Sequence, residues 1–117
     1  MSERNKVIVR QVDAAFSESN LEGFLEHCAE EIVWTIPGDR IVEGKEEIRQ
    51  FMTEMKGMEP PKITNKNTIA EGDSVAANGE MTMKEDGEDV RYSYCDVYRF
   101  QGEKIVELNS YVVKNKS

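Results

Sequence analysis

The sequence predicts an α+β fold in which helices pack on one face of an antiparallel sheet. In the first half of the chain, apolar residues recur at helical spacing. In the second half, four runs rich in β-branched and aromatic residues follow one another and are separated by three short polar turns. Helices that precede a meander of strands are typical of this class. With 117 residues, the chain is expected to form one domain, residues 1–117.

Three helices are predicted in the first half. The first covers about residues 4–18. Its apolar stripe is formed by Ile8, Val12, Ala15 and Phe16, and its polar face by Arg4, Arg10, Asp13 and Ser17. Asn20 is predicted to cap a short second helix over about residues 21–28. The third helix is predicted from Lys45 to Met55, with Gly57 at its end.

Strands are predicted on both sides of the third helix. Glu31–Ile36 alternates as a half-buried strand does, and Ile41-Val42 is predicted as a short strand. Four consecutive strands then cover about residues 62–70, 74–85, 89–100 and 104–114. Gly102 supplies the positive φ that the last tight turn needs.

The last hairpin places a carboxylate among tyrosines. Because alternate side chains of a strand share a face, Tyr92, Tyr94, Asp96 and Tyr98 point the same way. On the final strand, Val106, Leu108, Ser110 and Val112 share one face. Asp is depleted in strands, and an unpaired buried charge is costly. Asp96 is therefore expected to have either a partner or a function.

Composition excludes several classes of partner. The net charge of −8, with scattered lysines and arginines, argues against binding to nucleic acid or to anionic membranes. There is no apolar run long enough for a membrane span, and the start lacks the apolar core of a signal peptide. The two cysteines, Cys28 and Cys95, are interpreted as reduced thiols of a cytoplasmic protein.

No cofactor or metal is predicted. His27 is the single histidine, so a multi-histidine metal site is impossible, and a nucleophilic pair would need Cys28 or Cys95 to lie beside it in space. The acidic run from Glu85 to Asp89 lacks the ligand spacing of a calcium loop and is interpreted as a solvated hairpin tip. The sequence also lacks a glycine-rich phosphate loop and a nucleophile elbow.

Two motifs resemble a known family. Glu43-Gly44-Lys45-Glu46-Glu47-Ile48 at the start of the third helix, and the run CDVYRFQGEKI that begins at Cys95, are similar to the SnoaL-like branch of the nuclear-transport-factor-2-like superfamily. That superfamily includes ketosteroid isomerases, limonene-epoxide hydrolases and polyketide cyclases. The resemblance implies a cone, in which a curved antiparallel sheet wraps around about three N-terminal helices and leaves an apolar cavity. It also implies a homodimer formed through the outer face of the sheet.

The resemblance can be followed residue by residue. The isomerase base corresponds to Ile36 and its first-helix tyrosine to Val12, whereas its oxyanion-hole aspartate corresponds to Asp96. The Arg and the two Asp residues of the epoxide hydrolases correspond to Tyr94, Asp96 and Ser110. Both residue sets are therefore incomplete, and only Asp96 is retained from each.

Asp96 is the main catalytic candidate, with Tyr94 as the second. A carboxyl inside an apolar cone would have a raised pKa and could act as an acid, a base or a neutral hydrogen-bond donor near neutral pH. Tyr94 or Tyr98 could share a hydrogen bond with it. The alternative is that Asp96 is structural and is satisfied by a tyrosine hydroxyl, a backbone N–H or a water molecule.

The expected ligand is a small, mostly apolar molecule. The predicted lining consists of Val12, Phe16, Trp34, Ile36, Phe51, Met55, Met81, Met83, Tyr98, Leu108 and Ser110. The alternative is that these are ordinary core residues and that the cone is filled. Three functions follow: an isomerase, cyclase or hydrolase that uses Asp96, a binding protein without chemistry, or a structural or interaction domain.

Overall fold

The computed structural model describes residues 2–54 and 60–116 and confirms the predicted α+β cone. Its three helices are α1 (Ser2–Ser17), α2 (Leu21–Leu25) and α3 (Gly44–Glu54). Its six strands are β1 (Cys28–Ile36), β2 (Arg40–Glu43), β3 (Lys62–Glu71), β4 (Ser74–Glu85), β5 (Glu88–Gln101) and β6 (Lys104–Lys114). The four consecutive strands of the second half therefore lie where the sequence predicts them.

The six strands form one sheet in the order β2-β1-β6-β5-β4-β3. The neighbouring strands are antiparallel, except that β1 and β6 run parallel. The sheet is thus mixed, whereas the sequence predicted antiparallel pairing throughout. The parallel pair joins the first strand to the last one, and local patterns carry no information on such a distant pairing.

The boundaries of the second helix differ from the prediction. Asn20 does cap it, since the Gly23 N–H donates to Asn20 Oδ1 at 3.1 Å. The helix ends at Leu25 rather than at about residue 28, because β1 already begins at Cys28. His27 lies half-buried in the intervening turn, and Cys28 is buried at the start of the strand. The predicted end of the third helix, Met55 and Gly57, lies outside the described residues.

The hairpin of β5 and β6 has the predicted geometry. Gly102 has a φ of 64° in its turn. Asp96 pairs with Ser110, and Tyr98 pairs with Leu108. The exposed fraction is 6% for Tyr94 and 0% for Tyr98, so the tyrosine face is the inner face of the sheet, as predicted.

The helices cover this inner face. α1 packs against β3 and β4, and α3 packs against β1. Four aromatic rings meet between the helices and the sheet: Phe16 lies 4.8 Å from Phe24 and 6.1 Å from Trp34, and Trp34 meets Phe51 edge-on at 5.7 Å between centroids. Such contacts between rings add to the stabilisation from apolar burial. None of the helices among residues 2–54 and 60–116 has the length and apolar character needed to cross a membrane.

Candidate functional site

A polar cluster interrupts the apolar interior at the middle of β5. Asp96 lies on the inner face of the sheet, between Ala77 of β4 and Ser110 of β6. Ser110 Oγ accepts a hydrogen bond of 2.9 Å from Trp34 Nε1 on β1. Since an indole N–H can only donate, the single proton of Ser110 is left to donate elsewhere. Asp96 is the partner of Ser110 across β5 and β6, and hydrogen bonding with Ser110 is among the causes that act on the pKa of this carboxyl.

Burial dominates the electrostatics of Asp96. Desolvation raises the pKa of this carboxyl from its ordinary value of 3.8 to about 6, while the hydrogen bond from Ser110 acts in the opposite direction. Desolvation has this effect because it disfavours the charged form. The carboxyl therefore titrates close to neutral pH. A group that accepts and donates protons at neutral pH needs a pKa in this range.

A second carboxyl, which the sequence did not single out, lies near the first. Asp13 of α1 was predicted on the polar face of its helix, and that prediction is wrong. The buried face of α1 includes Asn5 and Val9 as well as Val12, and Asp13 lies half-buried one turn after Val9. Burial, followed by the charge of Asp96, raises the pKa of Asp13 to about 7. Asp13 is one helical turn from both Val9 and Phe16, and this spacing is the sequence feature that indicates its burial. Sequence patterns alone usually place an Asp of an amphipathic helix on the exposed face, which is why the burial was missed.

Two tyrosine hydroxyls border the carboxyls. Tyr94 Oη accepts a hydrogen bond from Asn65 Nδ2 at 3.4 Å, and Asn65 Oδ1 in turn accepts from Thr68 Oγ1 at 3.1 Å. Burial raises the pKa of Tyr94 to about 12, with the Asp13 charge as the next cause. Tyr98 is fully buried, and its hydroxyl has no hydrogen-bond partner among the described residues.

The predicted hydrogen bond between Asp96 and a tyrosine is wrong. Among the described residues, Tyr94 Oη accepts from Asn65 and Tyr98 Oη has no partner, whereas Ser110 is the side chain whose hydrogen bonding acts on the pKa of Asp96. An unsatisfied buried hydroxyl is costly, on the order of 1–3 kcal/mol. The cluster therefore contains two carboxyls and two tyrosine hydroxyls, and the protons of these hydroxyls have no hydrogen-bond acceptor among the described residues.

The predicted lining residues divide into three groups. Some are buried: Val12, Trp34, Tyr98, Leu108 and Ser110. Others are partly buried and pack against the core: Phe16, Ile36 and Phe51. Met81 and Met83 lie half-buried further along β4, where they pair with Tyr92 and Val90, and Met83 is six residues beyond the partner of Asp96. Met55 lies outside the described residues.

Other parts of the surface offer little chemistry. A cleft of about 490 Å³ lies between α2 and α3 and is lined by Asn20, Glu22, Gly23, Leu25, Glu26, Lys45 and Arg49. It is polar and open, and Arg49 is already paired with Glu22 at 3.1 Å. It contains none of the residues of the polar cluster. Within residues 2–54 and 60–116, no group of three or more His, Cys, Asp or Glu side chains is placed to hold a metal ion.

Comparison with known proteins gives one family and one fold. The model of the SnoaL-like domain matches residues 9–108 of the chain. A search of curated proteins found no match.

Solved structures agree with this family. An NTF2-like protein of unknown function from Cytophaga hutchinsonii is 27% identical, with a TM-score of 0.74 over 92% of this chain and 97% of that one. An NTF2-like protein of unknown function from Burkholderia pseudomallei is 21% identical, with a TM-score of 0.85 over 94% and 90% of the two chains. An epoxide hydrolase of the LEH-like type from M. tuberculosis is 14% identical, with a TM-score of 0.85 over 95% and 84%. The last two show a common fold only.

Proposed function

The chain belongs to the SnoaL-like domain family, and we propose that it is an enzyme of the isomerase, cyclase or hydrolase kind that acts on a small, mostly apolar molecule. Asp96 is the proposed proton-handling group, with Tyr94 as a hydrogen-bond donor beside it. In this proposal the reaction requires neither a cofactor nor a metal. Solved neighbours of the same fold include a polyketide cyclase-like protein from Jannaschia and the mycobacterial epoxide hydrolase, so the proposed reaction classes have precedents on this fold.

The environment of Asp96 is the observation that carries the proposal. Its carboxyl lies on the inner face of the sheet with one hydrogen bond from Ser110, and the causes of its raised pKa include no lysine or arginine. A structural carboxylate would be expected to have a cation or several N–H donors around it. A carboxyl that is buried without them can exchange a proton with a bound substrate near neutral pH.

The test is turnover by the Asp96→Asn variant. The wild-type protein would be screened against small apolar ketones, enones and epoxides, and each hit would be measured again with the variant. We expect a loss of about a hundredfold or more, because an amide cannot transfer the proton. Asp73→Asn is the matched control, since Asp73 is an exposed carboxyl in the turn before β4 and should leave the rate unchanged.

The outcome also separates the alternative functions. Turnover that survives Asp96→Asn would exclude Asp96 as the proton-handling group. Saturable binding of an apolar compound without turnover, retained by the variant, would indicate a ligand-binding protein. No ligand-induced rise in melting temperature across the panel would favour a structural or interaction domain, as the packed aromatic cluster around Trp34 would allow.

We also propose that two copies pair through the outer face of the sheet. Tyr111 and Val113 lie on this face of β6, opposite Cys95 and Ser93, and are 48% and 65% exposed. The nearby Arg99 and Glu107 already neutralise each other at 2.6 Å, so this pair would not repel a second copy. An exposed apolar surface of this kind favours an interface.

Light scattering at micromolar concentration tests the dimer. The wild-type protein should have twice the mass of the chain, and Tyr111→Lys should shift it to the monomer. Val7→Lys is the control, because Val7 is 45% exposed but lies on α1, away from this face. A monomeric wild-type protein would contradict the proposal.

The cytoplasm is the proposed compartment. Cys28 and Cys95 are both free thiols, and Cys28 is buried among core residues. Free cysteines are usual where the environment is reducing.

A further inference from the structure

We infer that Arg40, stacked on Phe51 at the end of the cone, binds the carboxylate of a substrate that is otherwise apolar. The inference rests on the proposed function and deepens it by naming the substrate class, an apolar monocarboxylate whose far end reaches the polar cluster. Neither the sequence motifs nor the family resemblance singled out Arg40.

The register places Arg40 on the inner face of β2. Arg40 pairs with Ile36 of β1, and Val42, two residues later, pairs with Trp34. Val42 and Trp34 are both buried in the core. Because residues two apart in a strand share a face, Arg40 points the same way as Val42. The guanidinium therefore lies on the side of the sheet that carries the helices and the polar cluster.

An aromatic ring holds the guanidinium in place. Its Cζ lies 4.7 Å from the centroid of the Phe51 ring of α3. Phe51 in turn meets Trp34 edge-on at 5.7 Å between centroids. A guanidinium that is stacked on an aromatic face keeps the N–H groups in its own plane available for hydrogen bonds. Stacking thus orients Arg40 without using its donors.

The two terminal nitrogens of Arg40 are available to a ligand. Nε lies 3.4 Å from Asp39 Oδ1, whereas Nη1 and Nη2 make no hydrogen bond or ion pair within residues 2–54 and 60–116. Arg49 differs, because Glu22 and Glu46 engage all three of its nitrogens. Two N–H groups in one plane match the two oxygens of a carboxylate, and one guanidinium matches its single charge.

Arg40 lies in the same cross-sheet row as Asp96. Arg40 pairs with Ile36, and Ser110 pairs with Asp96. β1 and β6 pair in parallel up to the residues directly before Ile36 and Ser110, so these two are neighbours. Three strand spacings therefore separate Arg40 from Asp96, roughly 14 Å between Cα atoms along the sheet. A ligand held by the guanidinium can present its other end to the polar cluster.

An apolar surface lies beside this row. Val112 is the next inward residue of β6 after Ser110 and is 41% exposed, so the helices leave this part of the inner face open. It pairs with Tyr94 of β5. On the side of β1, Ile36 is partly buried and packs against the core. This surface suits the hydrocarbon part of a ligand whose carboxylate binds Arg40 and whose far end meets Tyr94.

Equilibrium binding of 4-cyclohexylbutanoate tests the inference, with 4-cyclohexylbutanamide as its neutral counterpart. Trp34 is the single tryptophan, meets Phe51 and donates to Ser110, so its fluorescence should report a ligand bound beside this row. We expect a saturable change with the carboxylate and binding of the amide that is weaker by about tenfold or more. Equal affinities for the two compounds, or no saturation with the carboxylate, would overturn the inference.

Three variants assign the effect to Arg40. Arg40→Gln should weaken binding of the carboxylate about tenfold or more and change that of the amide by less than about twofold, because only the charge-assisted pair is lost. Asp39→Asn should tighten binding of the carboxylate about twofold or more, since it removes a competing anion. Arg10→Gln is the matched control, because Arg10 is exposed on α1, and it should change neither affinity. Equal weakening of both compounds by Arg40→Gln would show a structural role and overturn the inference.

Binding and turnover fail independently of each other. Turnover that is lost in Asp96→Asn, together with binding that does not depend on Arg40, would overturn the role of Arg40 and leave the proposed function intact. Binding that depends on Arg40, together with turnover that survives Asp96→Asn, would overturn the proposed function and leave the carboxylate site intact.

Discussion

At pH 8, the Asp96→Asn variant should melt about 10 °C above the wild-type protein, and this gain should almost vanish at pH 4. Asp96 is buried on the inner face of the sheet, and its pKa is raised from 3.8 to about 6. In the unfolded chain the same carboxyl ionises near its ordinary pKa. Between these two values the folded state holds a proton that the unfolded state has released, so raising the pH favours unfolding. The free energy of unfolding falls by about 3 kcal/mol in total, and this fall is complete above the folded-state pKa.

The amide of Asn has no charge to desolvate, so the variant avoids this loss. The difference in melting temperature between the variant and the wild type should therefore grow from pH 4 to about pH 7 and then level off. Asp13→Asn should behave similarly, with its rise extending to higher pH because the pKa of Asp13 is about 7. Thermal unfolding followed by circular dichroism at pH 4, 5, 6, 7 and 8 would measure both variants.

Asp73→Asn is the control for this series, because Asp73 is exposed in a turn. The melting temperature of this variant should differ from that of the wild type by the same amount at every pH. A difference for Asp96→Asn that stays constant across the range would show that the carboxyl is not desolvated in the folded protein. In that case the proton-transfer proposal would lose its physical basis.

Gly79→Ala should destabilise the protein by about 3 kcal/mol. Gly79 lies inside β4, where it pairs with Tyr94 on one side and Asn65 on the other. A Cβ at this position would lie 2.0 Å from the Thr64 carbonyl oxygen and 3.0 Å from Asn65 Cα. Both are backbone atoms, so the added methyl group can be accommodated only if β3 moves. Glycine inside a strand often marks such a close approach.

The register explains why the approach is close here. β3 has an irregularity between Asn65 and Asn67, directly opposite this part of β4, and the bulged backbone occupies the space that a side chain would need. Displacing β3 would also move Asn65 away from Tyr94 Oη. Gly79→Ala should therefore weaken the hydrogen bond between these two side chains as well as lower the stability.

Urea unfolding measures this effect, and Asn78→Ala is the control. Asn78 is the preceding residue of β4, is exposed on the opposite face, and should tolerate alanine with a change within about 0.5 kcal/mol. An unchanged urea midpoint for Gly79→Ala would show that β3 adjusts without cost.

The sequence by itself determined the fold class, the four late strands and the inner face of β5. These properties follow from local patterns, because a period of two fixes which side chains share a face of a strand, and glycine fixes the position of a tight turn. The orientation of Asp96 towards the interior, beside Tyr94 and Tyr98, was predicted for this reason.

Only the tertiary structure decided what surrounds Asp96. Across the sheet it pairs with Ser110, which accepts from Trp34 on a strand that runs parallel to β6, and its charge acts on the half-buried Asp13 of α1. Helical periodicity places a residue on a face but cannot say how wide the buried face is, and Asp13 lies at the margin of that face. Pairing of the first strand with the last depends on how the whole chain closes, which no local pattern records.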